Sequence, residues 1–228
     1  MLSRIEKDRI EAAVARAEQT TSAEIVVVLA AEVSNYREVP LAWAAAVALI
    51  APPLALLLGV EPLRLATQAG IWIAGQARAL EGEFMLALGL YAIAQSLLFL
   101  AVFGIAEIPV VRRAITPKVL KRHRVERLAQ QQFAAIGASA HDAETGVLIF
   151  VAVEDKLVRI LAPSPVHDQV GEAVWAGAVK AIGDAMQSGR DPSAGVVRAV
   201  ELCGEALSRS FPAAGAAPNG LSNRPIEI

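Results

Sequence analysis

Twenty consecutive residues, Leu41 to Val60, carry no charge, and a second uncharged stretch runs from Phe84 to Ala106. An α-helix needs about twenty apolar residues to cross the core of a bilayer, so each stretch is long enough for one span. The chain has 228 residues, 55% of them hydrophobic and 19% charged. That is more apolar than an ordinary soluble domain, yet too short to wrap two such helices inside a water-soluble core. The sequence therefore predicts a transmembrane hairpin over 38–112, with spans at about 41–60 and 84–106. Pro52-Pro53 is expected to kink or shift the first span, which lipid tolerates where neighbouring helices satisfy the freed carbonyls. The remainder divides into 1–37, 113–211 and a flexible tail, 212–228.

Charge gives an orientation. Arg112, Arg113, Lys118, Lys121, Arg122, Arg124 and Arg127 follow the second span, whereas the 61–83 connector holds Arg64 and Arg78 alone. Basic residues accumulate on the cytoplasmic side, so both termini and the soluble part are expected in the cytoplasm, at a cell (inner) membrane. The connector, with Trp72, is either an interfacial segment or a simple linker. The basic cluster reads as the topology signal, as a contact for anionic lipid, or as both. A net charge of −2 gives no reason to expect nucleic acid. The first residues, MLSRIEKDRIEAAVARAEQ, lack the apolar core of a secretory signal. Cys203 is the one cysteine; it cannot close an intrachain disulfide, which fits a reducing compartment. Gln95 and Ser96, in mid-span, are expected to bond between helices. Two spans without an intramembrane charge make a poor transporter.

Outside the spans the pattern is α/β. Ser3-Arg4-Ile5-Glu6 is a capping box, with Ile10, Val14 and Ala17 following at helical spacing. Ser22–Ala31 (SAEIVVVLAA) reads as a buried strand. Arg124–Ala140 reads as a helix with Val125, Leu128, Phe133 and Ile136 on its apolar face. Gly146–Val153 and Leu157–Ala162 form two strands around the charged corner Glu154-Asp155-Lys156. A helix is expected over 168–188, capped by Asp168. A last helix starts at Asp191 as N-cap with Pro192 in its first position, and carries Val196, Val200, Cys203, Leu207 and Phe211. A lone strand is not stable, so the first strand must pair with strands beyond the insertion. Both soluble pieces then lie on one side of the membrane, which an even number of crossings allows.

The order helix, TSAEIVVVLA, helix, ETGVLIFVAVEDKLVRI, helix, then the Ser188–Asp191 corner resembles the TPM-domain family. Its middle motif of Asp/Asn-Gly, aliphatic strand, charged turn and Arg-Ile strand falls here on Glu144-Thr145-Gly146, Val147–Val153, Glu154–Lys156 and Val158-Arg159-Ile160. The ending LSNRPIEI is similar to that of a short bacterial subgroup with a membrane hairpin inside the domain. The resemblance implies a small sheet flanked by helices, interrupted by the two-helix hairpin. It also implies divalent metal, such as calcium, in some relatives, and a phosphatase activity attributed to one member. The family's glycine-rich loop after the Arg-Ile strand is replaced here by residues 162–168, which contain no glycine.

The chemistry-bearing candidates are His141, Asp142 and Glu144 before one strand, Glu154 and Asp155 at the turn, and His167 with Asp168 after the hairpin. Carboxylates with an imidazole suit a divalent cation. Only His141, Asp142, Glu144, His167 and Asp168 lie where they can converge, since the turn is at the opposite end of the hairpin. Solvated turn residues and helix caps are the plainer explanation of all of them. There is no Walker loop, no Gly-x-Ser-x-Gly elbow and no Cys-x-x-Cys pair, and Cys203 sits on an apolar stripe. The expectation is a membrane-anchored interaction or assembly module whose partners are the lipid bilayer and another membrane protein, with a divalent-metal-dependent phosphatase as the rival.

Overall fold

The computed structural model describes residues 2–60, 80–139, 145–188, 191–213 and 221–228. Along the chain run α1 (Arg4–Glu18), β1 (Ile25–Ala30), α2 (Glu38–Leu57), α3 (Leu80–Ala106), α4 (Pro109–Ile115) and α5 (Lys118–Ser139). They are followed by β2 (Val147–Ala152), β3 (Leu157–Leu161), α6 (Ser164–Val170), α7 (Glu172–Gln187), α8 (Pro192–Ser210) and β4 (Ile226–Glu227). Two units result: Met1–Ser34 with Lys118–Ile228, and Asn35–Pro117.

The first unit is a mixed sheet in the order β3-β2-β1-β4. β1 runs parallel to β2, from Ile25 opposite Val147 to Ala30 opposite Ala152. β2 and β3 are antiparallel, with Leu148 opposite Leu161. All residues of β1 and β2 are buried, because both faces of the sheet are covered. Successive side chains point to opposite faces, and the packing follows that period. Ile25, Val27, Leu29, Val147, Ile149 and Val151 meet Ile10 and Val14 of α1, Trp175 and Ile182 of α7, and Val200 and Leu207 of α8. Val26, Val28, Leu148 and Phe150 meet Val125 and Ala129 of α5. Fully burying a side chain of this size is worth about 1.5–3 kcal/mol, so the register that seats both rows is strongly favoured over a one-residue slip, which would exchange the faces.

The helix ends follow the local chemistry expected of them. Ser3 Oγ accepts from the Glu6 N–H at 3.3 Å while the Glu6 carboxylate accepts from the Ser3 N–H. Asp191 accepts from the Ser193 N–H at 2.8 Å, with Pro192 opening α8. The turn between β2 and β3 closes through the Lys156 N–H and the Val153 carbonyl, with Lys156 in the left-handed region at φ 52°.

Three expectations about the first unit need correction. The helix expected over 168–188 is two helices broken at Gly171, whose φ of 84° ends α6. Asp168 therefore lies inside α6 rather than capping a helix. α5 begins six residues before the expected Arg124, directly after Pro117, whose fixed φ suits a residue entering a helix. The tail does not stay loose throughout: Ile226 and Glu227 pair in parallel with Val28 and Leu29 of β1. The edge of β1 offers unpaired backbone groups, and the Ala31 N–H to the Ile228 carbonyl and the Ile228 N–H to the Leu29 carbonyl, both 3.0 Å, use them.

In the second unit, Glu38–Leu57 and Leu88–Ala106 are long and apolar enough to cross a membrane, with mean hydropathies of 1.9 and 2.0. Pro52 and Pro53 lie inside α2, which continues past both. The Trp43 indole donates to the Ile115 carbonyl at 3.3 Å, tying α2 to α4. Ser96 does not bond between helices: its hydroxyl donates to Ala92 O of its own helix at 2.8 Å, the usual i−4 back-bond of a hydroxyl in an apolar helix. Most of the 61–83 connector, Trp72 included, lies outside the described residues.

Candidate functional site

The register of the sheet assigns each candidate to one of its two ends. Leu148 opposes Leu161, so the start of β2 and the end of β3 share the amino end of the parallel strands. His141, Asp142 and Glu144 lie outside the described residues. His167 and Asp168 stand on α6, a few residues after β3. Asp168 is exposed. His167 has a structural task that its sequence context does not announce. Its ring stacks on Trp175 with centroids 6.0 Å apart and planes 5° apart, and its carbonyl accepts from the Trp175 indole at 3.3 Å. Its Nε2 lies 3.4 Å from a Glu172 carboxylate oxygen. All three contacts span the Gly171 break and fasten α6 to α7. Among the described residues, no three His, Cys, Asp or Glu side chains are grouped to hold a metal ion.

The amino end carries a perturbed carboxyl, Glu18. Burial pushes the Glu18 carboxyl above its usual range, against the hydrogen bond from the Ile25 N–H (3.0 Å), and the neighbouring Glu24 adds to the upward push. Beside Glu24 a hollow of about 170 Å³ is walled by Val26, Phe133, Ile136, Leu148 and Leu221. It is apolar and smaller than the roughly 300 Å³ where small-molecule pockets begin.

At the carboxyl end, Glu154 and Asp155 project from the turn. Asp155 is almost fully buried, 3.7 Å from Lys121 of α5, so this half of the charged corner joins the hairpin to the helix above it. A second hollow of about 180 Å³ lies between Leu2, Glu6, Ala31, Val153, Pro192 and Glu227. Carboxyl ends of parallel strands are where α/β sheets most often bind ligands, but here the acids already have protein donors. Glu6 completes the capping box. Glu227 accepts from Lys7 Nζ at 2.7 Å and from the Leu2 N–H at 3.2 Å. Those contacts, led by the Lys7 hydrogen bond, hold the Glu227 carboxyl below its usual range. Nearby, hydrogen bonding by Ser193 lowers Asp191, with Arg9 at 3.3 Å adding to the effect. Sequence reasoning passed over Lys7 and Glu227, since 220 residues separate them and neither sits in a motif.

The architecture defines a mixed α/β domain, a four-stranded sheet between helices, with an apolar helical insertion between its first two strands. Residues 110–206 match the family model of the TPM domain. Among solved structures the fold is similar to the NMR structure of the BA42 protein from the psychrophilic bacterium Bizionia argentinensis. The match has a TM-score of 0.55 at 18% identity and covers 100% of this chain and 96% of that one. At that identity the likeness speaks to fold alone. No curated protein sequence matches the chain.

Proposed function

We propose that this chain is a membrane-anchored TPM-domain protein whose soluble unit faces the cytoplasm and serves as an interaction or assembly module for another membrane protein. The observation that carries the reading is the parallel pairing of β1 with β2. The two strands lie on either side of an insertion with two helices apolar enough to span, so an inserted hairpin must return the chain to the side it left. The basic residues after α3 give that side as the cytoplasm. A cysteine placed in the 61–83 connector is expected to react with a membrane-impermeant maleimide on intact cells, and one replacing Glu154 is expected to react only after lysis. The reverse pattern would overturn the orientation. For the module role, a photo-reactive residue at Leu97, exposed on α3, is expected to give one discrete adduct with a membrane protein; a diffuse ladder argues against it.

A divalent-metal-dependent phosphatase is the second reading. It draws on the register that puts the start of β2 and the end of β3 at one end of the sheet. His141, Asp142, Glu144, His167 and Asp168 would supply its ligands. Calcium titration of the detergent-solubilised chain beside an Asp142→Ala/Asp168→Ala variant tests it. Saturable binding and phosphate-ester turnover lost in the variant support it; the absence of both sinks it.

A further inference from the structure

One face of α5 joins basic and aliphatic side chains. Leu120, His123, Arg124, Arg127, Leu128 and Gln131 recur at three- and four-residue steps, which places them in one row along a helix. With Val33 they line an open groove of about 430 Å³. Its polar side is basic and amidic, and its other wall, Val33, Leu120 and Leu128, is aliphatic. Arg124 is half-buried and oriented by the Ser34 hydroxyl, while His123 and Arg127 are exposed. Two acids near it are engaged elsewhere. Glu126, the one carboxylate on α5, lies 2.6 Å from Arg159 Nε of β3, and Asp155 faces Lys121.

We propose that this groove binds the phosphate of an anionic phospholipid headgroup, of the phosphatidylglycerol type. Guanidinium groups suit phosphate oxygens through paired N–H donors, and the Gln131 amide is a further donor beside them. The aliphatic wall suits the glycerol and first methylenes of a lipid, which a free phosphate lacks. Chain connectivity points the same way. Val33 is five residues before α2 begins at Glu38. Leu120 follows α3 by fourteen residues.

The inference rests on the membrane-anchored reading, and its test separates the two. Purified full-length protein is titrated with dioctanoyl phosphatidylglycerol below its micellar concentration, and in parallel with dioctanoyl phosphatidylcholine and with inorganic phosphate. Binding is followed by the shift in melting temperature. This reads headgroup recognition whether or not α2 and α3 span a bilayer, which the maleimide experiment decides. Phosphatidylglycerol is expected to stabilise saturably, more tightly than either competitor, and more weakly as salt rises. Arg127→Gln, at an exposed position, is expected to weaken it about five- to tenfold, while Lys180→Gln on α7 leaves it unchanged. Arg124→Gln is read only beside Arg127→Gln, because it also loses the Ser34 contact. Equal binding of both lipids, equal loss in Lys180→Gln, or inorganic phosphate binding as tightly as phosphatidylglycerol would each overturn the assignment.

Discussion

Single residues at the carboxyl end of the sheet set a pH response that can be worked out in sign. Glu227 sits below its ordinary range because Lys7 hydrogen-bonds its ionised form. A carboxyl with a lowered folded pKa stabilises the native state above its unfolded pKa, near 4.5, and loses that contribution as pH falls through the folded value. β4 is therefore expected to loosen in acid, below about pH 4.5, before the rest of the sheet. Amide exchange at Ile228, whose N–H is bonded to Leu29, measures it. Glu227→Gln at pH 7 is expected to speed that exchange about fivefold, on the order of 1 kcal/mol for one partly buried charged bond. No change at Ile228 would mean that β4 holds without its ion pair. Cys203 shows burial acting alone. Desolvation pushes its thiol up to about 12, and the thiolate is the reactive form. In the folded protein at pH 8 it is expected to resist iodoacetamide and to react at once in 6 M guanidinium; rapid labelling of native protein would contradict its burial in α8.

At the scale of elements, close packing between helices decides more than any polar contact. A Cβ on Gly195 of α8 would lie 2.6 Å from Ala185 Cβ and 3.0 Å from both the Ala181 carbonyl oxygen and Ile182 Cα of α7. Alanine gains up to about 1 kcal/mol over glycine in a helix, but overpacking costs about 1–3 kcal/mol. Two of the neighbours are backbone atoms that yield little, so Gly195→Ala is expected to destabilise by about 1–2 kcal/mol net. Gly183→Ala on α7, with nothing within 4 Å, is expected to stabilise by up to about 1 kcal/mol. Chemical denaturation of the pair checks both signs. The elements whose side chains carry their own signal were legible from sequence: the Ser3-Glu6 box, the aliphatic β1 and β2, the Asp191-Pro192 start of α8. β4 was not, because two backbone hydrogen bonds hold it and backbone bonds leave no side-chain pattern. Of the candidate site, His141, Asp142 and Glu144 lie outside the described residues, and His167 and Asp168 stand on α6. His167 reads as a ligand beside Asp168, yet its contacts to Trp175 and Glu172 arise from a break at Gly171 that helical periodicity conceals.

For the whole molecule, the question is whether the α/β unit needs the insertion that divides it. Its sheet is covered on both faces by its own helices, and the residues flanking the insertion are already held near each other. Arg124 donates to the Ser34 hydroxyl, and Lys118 is six residues up α5 from Arg124, about 9 Å along a helix. The gap from Ser34 to Lys118 is thus about that rise plus the length of an arginine side chain. A flexible Gly/Ser linker of about nine residues has a root-mean-square span of roughly 15–18 Å and can bridge it without strain. Replacing 35–117 with such a linker is expected to yield a protein that stays in solution without detergent and melts in one cooperative transition. It should retain protected amides in β1 and β2, since their parallel register depends on side-chain burial rather than on the length of the crossover. Aggregation, or loss of protection in β1 while the β2–β3 hairpin keeps its own, would show that the insertion helps to place the first strand. The excised domain would then be a fragment rather than a unit, and the helical insertion a part of its fold.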